Sequence, residues 1–309
     1  MKEKKSEIYE KKFSFGISLN IELDDYEKII RRYRKYISSV YFSLPLGEEF
    51  HTREAVIEEY SQKGAIEKFR NILILFKEND IKLEVVFNQY GISRQKMIDA
   101  LKYIKNMPID SICTLDEYVD IIREYYPSIY LVSSFNNDNK ICIDTKRNMY
   151  NQIVIGRRYL RDIETIKMIK KNGIDIKLLL NNGCSFNCGT CRMGKQKCRE
   201  IFEKNLEKFT IEELFALQSF FPFELDVLNS KLGFEYINEF KISNRPCTYE
   251  YLDNCLDSYI YGHNKEEKYI KKSKMNYRLW GRLGHFNSYL EVMDIKNVKR
   301  IKKEIWDML

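Results

Sequence analysis

The sequence predicts an α/β protein built as a closed (β/α)8 barrel of the TIM type, with a short basic helical C-terminal extension. Three observations carry that expectation. Eight short β-rich runs alternate with longer segments of helical period. The eight fall within roughly 260 residues, which suits one such barrel. With 44% hydrophobic residues over 309, the chain can bury a substantial core, so disorder throughout is excluded. An open doubly wound sheet is the competing architecture for the same alternation.

The first strand is expected within FSFGISLNI (13 to 21), where aromatic and β-branched residues cluster, and the helix DDYEKIIRRYRKYI (24 to 37) follows it. SVYFSLPL (39 to 46) is the second strand, with a long helical region after it to Asp80. IKLEVVFNQ (81 to 89) is the third, and a helix near Ser93 to Met107 leads to IDSICTLD (109 to 116) as the fourth. DEYVDIIREYY reads as helix, and SIYLVSSFNN (128 to 137) and QIVIGRRYL (152 to 160) as strands five and six. IETIKMIKKNG is a helix ending at Gly173, a glycine placed for a left-handed C-cap. IDIKLLLNNG supplies strand seven. After a stretch containing the helical IEELFALQSFF, INEFKISNR (237 to 245) supplies strand eight, backed by TYEYLDNCLDSYIYG. The expected division is a tail at 1–12, a barrel at 13–262 and the basic extension at 263–309, with no internal repeat.

The net charge of +7 is modest beside 31% charged residues, which reads as a solvated surface rather than a nucleic-acid footprint. The N-terminus MKEKKSEIYEKK lacks the apolar stretch of a secretory signal, and no apolar run approaches the length of a membrane span. The expected setting is the cytoplasm, with no membrane partner. In a reducing compartment, eight cysteines point to metal binding or catalysis before disulfides.

Four of those eight gather in NNGCSFNCGTCRMGKQKC, which ends at Cys198. Cys184, Cys188 and Cys191 form a C-x3-C-x2-C loop, a spacing that lets three thiolates converge on one iron-sulfur cube. Cys198 is the nearest fourth ligand. Cys247, beyond strand eight, is the alternative, because neighbouring barrel strands bring their ends together across long sequence separations. The cofactor expected is a [4Fe-4S] cluster. Zinc is a further reading, although only one Cys-x2-Cys pair occurs, and His51, His263 and His285 show no zinc spacing; thiols without metal are another. The same spacing matches radical S-adenosylmethionine enzymes. Their motif, however, usually follows the first barrel strand with an aromatic residue before its last cysteine; here it follows strand seven and that residue is Thr190.

Several strand ends together resemble the U32 peptidase-like (collagenase-like) family, which includes the iron-sulfur accessory proteins of oxygen-independent ubiquinone hydroxylation. EFKISNR (239 to 245) is similar to its Lys-Ile-Glu-Gly-Arg segment, keeping Lys241, Ile242 and Arg245 but carrying Ser243 and Asn244 in place of Glu and Gly. QIVIGRRYLRDIETI resembles its Val-Val-Leu-Ala-Arg-Glu-Leu strand, Arg157 matching the arginine and Arg158 replacing the acid. VVFNQ resembles its Asn-ending third strand and NNGCSFNC its cysteine turn, and the likeness spans roughly residues 13 to 260. The resemblance implies a barrel, an oxygen-sensitive [4Fe-4S] cluster on four cysteines, and work in anaerobic hydroxylation or transfer-RNA modification, with a second U32-like subunit among the expected partners. Peptidase chemistry has little support: no His-Glu-x2-His run occurs, and three scattered histidines define no triad.

Lys241, Arg245 and Arg157 are candidates to hold an anionic substrate at the barrel mouth, since a fixed cation in a desolvated cleft attracts carboxylate or phosphate. The competing reading is an ion pair closing the barrel, with Asp116 or Asp162 as partners for Arg157. Asn20, Asn88 and Asn136 lie at or near strand ends, where asparagine commonly satisfies turn backbone. Cys113, Cys142 and Cys255 read as buried structural thiols. In the extension, Tyr277, Arg278, Trp280 and Arg282 are placed either to stack on bases of a nucleic acid such as tRNA or to cover the barrel's side.

Overall fold

A computed structural model describes residues 11–47, 50, 54–134, 149–155, 163–180, 236–243 and 247–261. Eight strands form one closed sheet in chain order: β1 (Phe13–Gly16), β2 (Ile37–Phe42), β3 (Lys82–Phe87), β4 (Ser111–Thr114), β5 (Tyr130–Ser133), β6 (Gln152–Ile155), β7 (Asp175–Leu179) and β8 (Glu239–Ile242). Every neighbouring pair is parallel, and β8 returns to β1 through the partners Phe13 and Phe240, Ser14 and Lys241, and Phe15 and Ile242. Closure settles the architecture as a (β/α)8 barrel and rules out the open sheet.

The described helices between strands are α1 (Leu23–Tyr33), α2 (Glu54–Tyr60), α3 (Ala65–Glu78), α4 (Arg94–Ile104), α5 (Val119–Tyr125) and α6 (Ile163–Lys171), with α7 (Tyr249–Tyr261) behind β8. α1 shows why these segments fold so. Tyr26, Ile29, Ile30 and Tyr33 make one buried stripe, while Asp24 and Asp25 in the first turn and Arg31 and Arg32 in the last complement the helix dipole. α4 begins at Ser93, whose hydroxyl accepts the Lys96 N–H. The long helical region expected before Asp80 is two helices, separated by a turn in which Gly64 takes φ +79°. The glycine expected to end α6 does so, Gly173 adopting φ +76° and its N–H reaching the Lys170 carbonyl.

Both faces of the sheet are buried, as parallel strands require. One face packs aromatic and aliphatic side chains under the helices. Phe15 and Tyr26 both meet Phe76 edge-on, and Phe42 meets Phe69 in the same way. The alternate positions turn into the lumen, where Tyr41, Val86, Cys113, Val132, Val154 and Leu179 make a separate apolar cluster. Among the described residues no helix is long and apolar enough to cross a membrane. The boundaries expected at 1–12 and 263–309 lie outside the described residues except for Lys11 and Lys12.

Candidate functional site

The lumen-facing positions carry charge as well as apolar groups. Lys177 on β7 bonds Glu84 Oε2 at 2.6 Å and Glu239 Oε2 at 2.7 Å, with the Lys177 and Glu84 side chains each only 1% exposed. β3 and β7 lie four strands apart on an eight-stranded ring, so the Lys177–Glu84 bond crosses the lumen. Glu239 is satisfied on its other oxygen by the Ser38 and Ser39 hydroxyls, the Ser39 donor at 2.6 Å. Ser38 reaches it because the β1–β2 register skips that residue between the partners of Phe13 and Ser14, an irregularity that re-aims one side chain. Burial opposes the charge on Lys177, but Glu239 and Glu84 outweigh it and hold the ammonium well above its ordinary range. Burial likewise opposes ionisation of Glu239, and Lys177 with the two serines reverses the balance, holding the carboxyl below its ordinary value.

Two residues beyond Glu239 along β8, toward the C-terminal end of the barrel, stands Lys241. Its ammonium lies 3.7 Å from Glu84 Oε1 and 3.9 Å from the centre of the Tyr41 ring. Lys241 can reach a β2 residue because the lumen positions of the intervening β1 are Ser14 and Gly16, which leave the path open. The Tyr41 hydroxyl donates to the Ile242 carbonyl at 2.7 Å, fixing the ring over that path. Cys113 faces the same space. Burial pushes its thiol up to about 11, with Lys241 pulling the other way.

At the C-terminal mouth, where barrel enzymes place their chemistry, a buried carboxylate comes from α2: Glu59 accepts from the Ser18 hydroxyl, just past β1. The Cys247 N–H donates to Ser18 Oγ at 3.2 Å, and the Ser18 N–H donates to the Tyr26 oxygen at 2.8 Å. The tyrosine hydroxyl in turn donates to the Ser18 carbonyl at 3.0 Å. At the exit of β7, the Leu180 N–H donates to the Lys241 carbonyl at 2.9 Å, tying the start of the following segment to β8.

Of the predicted site residues, Lys241 lies in the lumen network rather than on the rim, and Cys247 lies fully buried at the mouth. Cys184, Cys188, Cys191, Cys198, Arg157 and Arg245 lie outside the described residues. Asp116, one proposed partner for Arg157, accepts from the Tyr150 hydroxyl at 2.8 Å. Asn20 is exposed in the turn after β1, its N–H directed at Ser18 Oγ at 3.4 Å, in keeping with a turn role. Cys113 and Cys255 are fully buried thiols, as expected. Among the described residues no group of three or more His, Cys, Asp or Glu side chains is arranged to hold a metal ion. The sequence reading missed Lys177, Glu84, Glu239, Ser18 and Glu59. The available signal for Lys177 and Glu84 was a charge flanked by aliphatic neighbours in strands whose faces are both buried, as in KLEVVF and DIKLL.

No family model matches this sequence, and no curated protein matches it. Among solved structures, the U32 peptidase Mk0906 aligns with TM-score 0.47 and 9% identity over 75% of this chain and 92% of its own. A mutant tryptophan synthase α-subunit from the hyperthermophile Pyrococcus furiosus aligns with TM-score 0.43 and 10% identity over 85% and 96%. An enolase from Sargasso Sea environmental sequencing aligns with TM-score 0.42 and 5% identity over 78% and 57%. The barrel assignment itself stands on the hydrogen-bonded closure of β8 onto β1.

Proposed function

We propose that this barrel is a [4Fe-4S] protein, an enzyme or enzyme subunit that carries out oxygen-independent, hydroxylation-type modification of a substrate with an anionic end, bound at the C-terminal mouth. The observation that carries the reading is the Leu180-to-Lys241 hydrogen bond, which fixes the exit of β7 against β8. The four-cysteine run begins four residues beyond Leu180, and Cys247 follows β8. The donor set is all thiolate, which suits an iron-sulfur cluster. Cys184, Cys188 and Cys191 would hold it, with Cys198 or Cys247 as the fourth ligand. When bound, such a cluster supplies one-electron transfer. Arg157 and Arg245, which follow β6 and β8 in sequence, would hold the anionic end of the substrate, with Lys241 as a further cation in the lumen.

The test is purification without oxygen, with iron, sulfide and zinc quantified for the wild type and for Cys184→Ala, Cys191→Ala, Cys198→Ala and Cys247→Ala. The expected result is about four irons and four sulfides per chain, lost in the ligand variants. Retention in either Cys198→Ala or Cys247→Ala identifies the other as the fourth ligand. Zinc alone, or no metal, overturns the cluster.

A further inference from the structure

We propose that the lumen beneath the mouth holds a subsite for an uncharged group of the substrate that both accepts and donates hydrogen bonds, a hydroxyl or a primary amide, gripped by Lys241, Ser14 and Glu84. This deepens the reading of the mouth as a substrate site and does not depend on the cluster. Ser14 is fully buried, and among the described residues its hydroxyl has no hydrogen-bond partner. Glu84 Oε1 is also buried without one, its other oxygen being taken by Lys177. Lys241 meets Glu84 Oε1 at 3.7 Å and the Tyr41 ring at 3.9 Å, and neither contact is a hydrogen bond. Ser14 and Lys241 are register partners on adjoining strands, so the three groups border one stretch of lumen, with Gly16 adding no side chain on the mouth side of Ser14. Buried polar groups normally find partners, and two orphans beside an ammonium mark a place where something polar is missing.

The charges select the ligand. Lys177 and Lys241 balance Glu84 and Glu239, so an added anion would leave this desolvated lumen net negative. A hydroxyl oxygen instead accepts from both Lys241 and Ser14 while its hydrogen goes to Glu84 Oε1, completing all three groups at no cost in charge. A gap of 3.7 Å between donor and acceptor is the span that one bridging oxygen closes. The substrate class that follows carries, besides the anionic end proposed above, an uncharged hydroxyl or primary amide that reaches into the lumen.

The test is saturation-transfer NMR on the full chain purified without oxygen, using 1,2-propanediol and acetamide as probes and acetate and inorganic phosphate as competitors. The expected result is transfer to both neutral probes, with affinity about tenfold weaker in Ser14→Val, which fills the space, and in Lys241→Met. Ser14→Ala guards against misfolding: it deletes an orphaned hydroxyl, so its Tm should equal or exceed that of wild type while probe binding falls. The proposal is overturned by displacement of the probes by acetate or phosphate, by equal binding in the Ser14 variants, or by no transfer at all. Metal content is measured separately, so loss of the cluster and failure of the subsite give different signatures.

Discussion

Lys177→Met is the most informative single change in the lumen. Lys177 is 1% exposed and bonds two carboxylates at 2.6 and 2.7 Å, so its removal leaves two buried carboxylates with Lys241, near Glu84, as their one described lumen cation. Breaking a buried pair by deleting one partner costs about 3 to 5 kcal/mol, most of it the penalty of an uncompensated charge. Both second-site variants restore the charge count, so the distance between the charges that remain orders them. Lys177→Met with Glu239→Gln restores neutrality, leaving Glu84 beside Lys241 at 3.7 Å, and the glutamine carbonyl still accepts from Ser38 and Ser39. Lys177→Met with Glu84→Gln leaves the charged Glu239 with only its serines, and Lys241 without its carboxylate. Equilibrium urea unfolding, compared at equal slope, should show the first double variant recovering most of the loss and the second little of it. A loss below about 1 kcal/mol in Lys177→Met, or equal recovery in the two double variants, refutes the claim that direct pairing of the buried charges governs this lumen.

The remaining predictions concern the mouth, the titrating groups and the thiols. Tyr26→Phe leaves the buried Ser18 N–H without its acceptor at 2.8 Å, and urea unfolding should register a loss of about 1 to 3 kcal/mol. Glu239 is depressed in the folded state, so its contribution is present above the unfolded carboxyl value of roughly 4.3 and is lost as pH falls through the lower folded value. Lys177 is raised, so its contribution is complete below the unfolded value of roughly 10.4 and fades above it. A profile of Tm against pH should therefore be flat between these limits for the pair, and Lys177→Met with Glu239→Gln should lose both shoulders. Cys113, with its thiol pushed up to about 11, and Cys255, raised by burial, should resist iodoacetamide at pH 8 in the folded protein and react on unfolding, as read by peptide mass spectrometry.

The strand order was legible because each strand announces itself locally through β-branched and aromatic clustering, and each helix through its apolar stripe. Boundaries were less so. The first strand was expected over 13–21, but regular pairing ends at Gly16, and the residues after it turn aside through Ser18 to build the mouth. Gly173 was readable as a cap because a left-handed residue after a helix is a local demand that one residue type meets.

What sequence withheld was the side of the sheet on which each buried charge lies. In a barrel both faces are covered, so the polar–apolar alternation that would separate inside from outside is weak, and Glu84 or Lys177 reads like an ordinary surface charge. Their partners are remote in the chain: Glu84 and Lys177 are separated by 93 residues. Closure alone fixes them, since it sets β3 against β7 across the lumen and brings β8 beside β1. The same nonlocality explains why Lys241 was expected at the mouth and not in the lumen beside Ser14, Tyr41 and Glu84. Each comes from a different strand, and only the register places Ser14 beside Lys241 and lets Lys241 reach across to Tyr41 and Glu84. A charge set among aliphatic residues in a strand expected to be buried on both sides is therefore best read as half of a lumen contact. The orphaned oxygens of Ser14 and Glu84 belong to the same case: each lies on a different strand, and only the register brings them to one stretch of lumen.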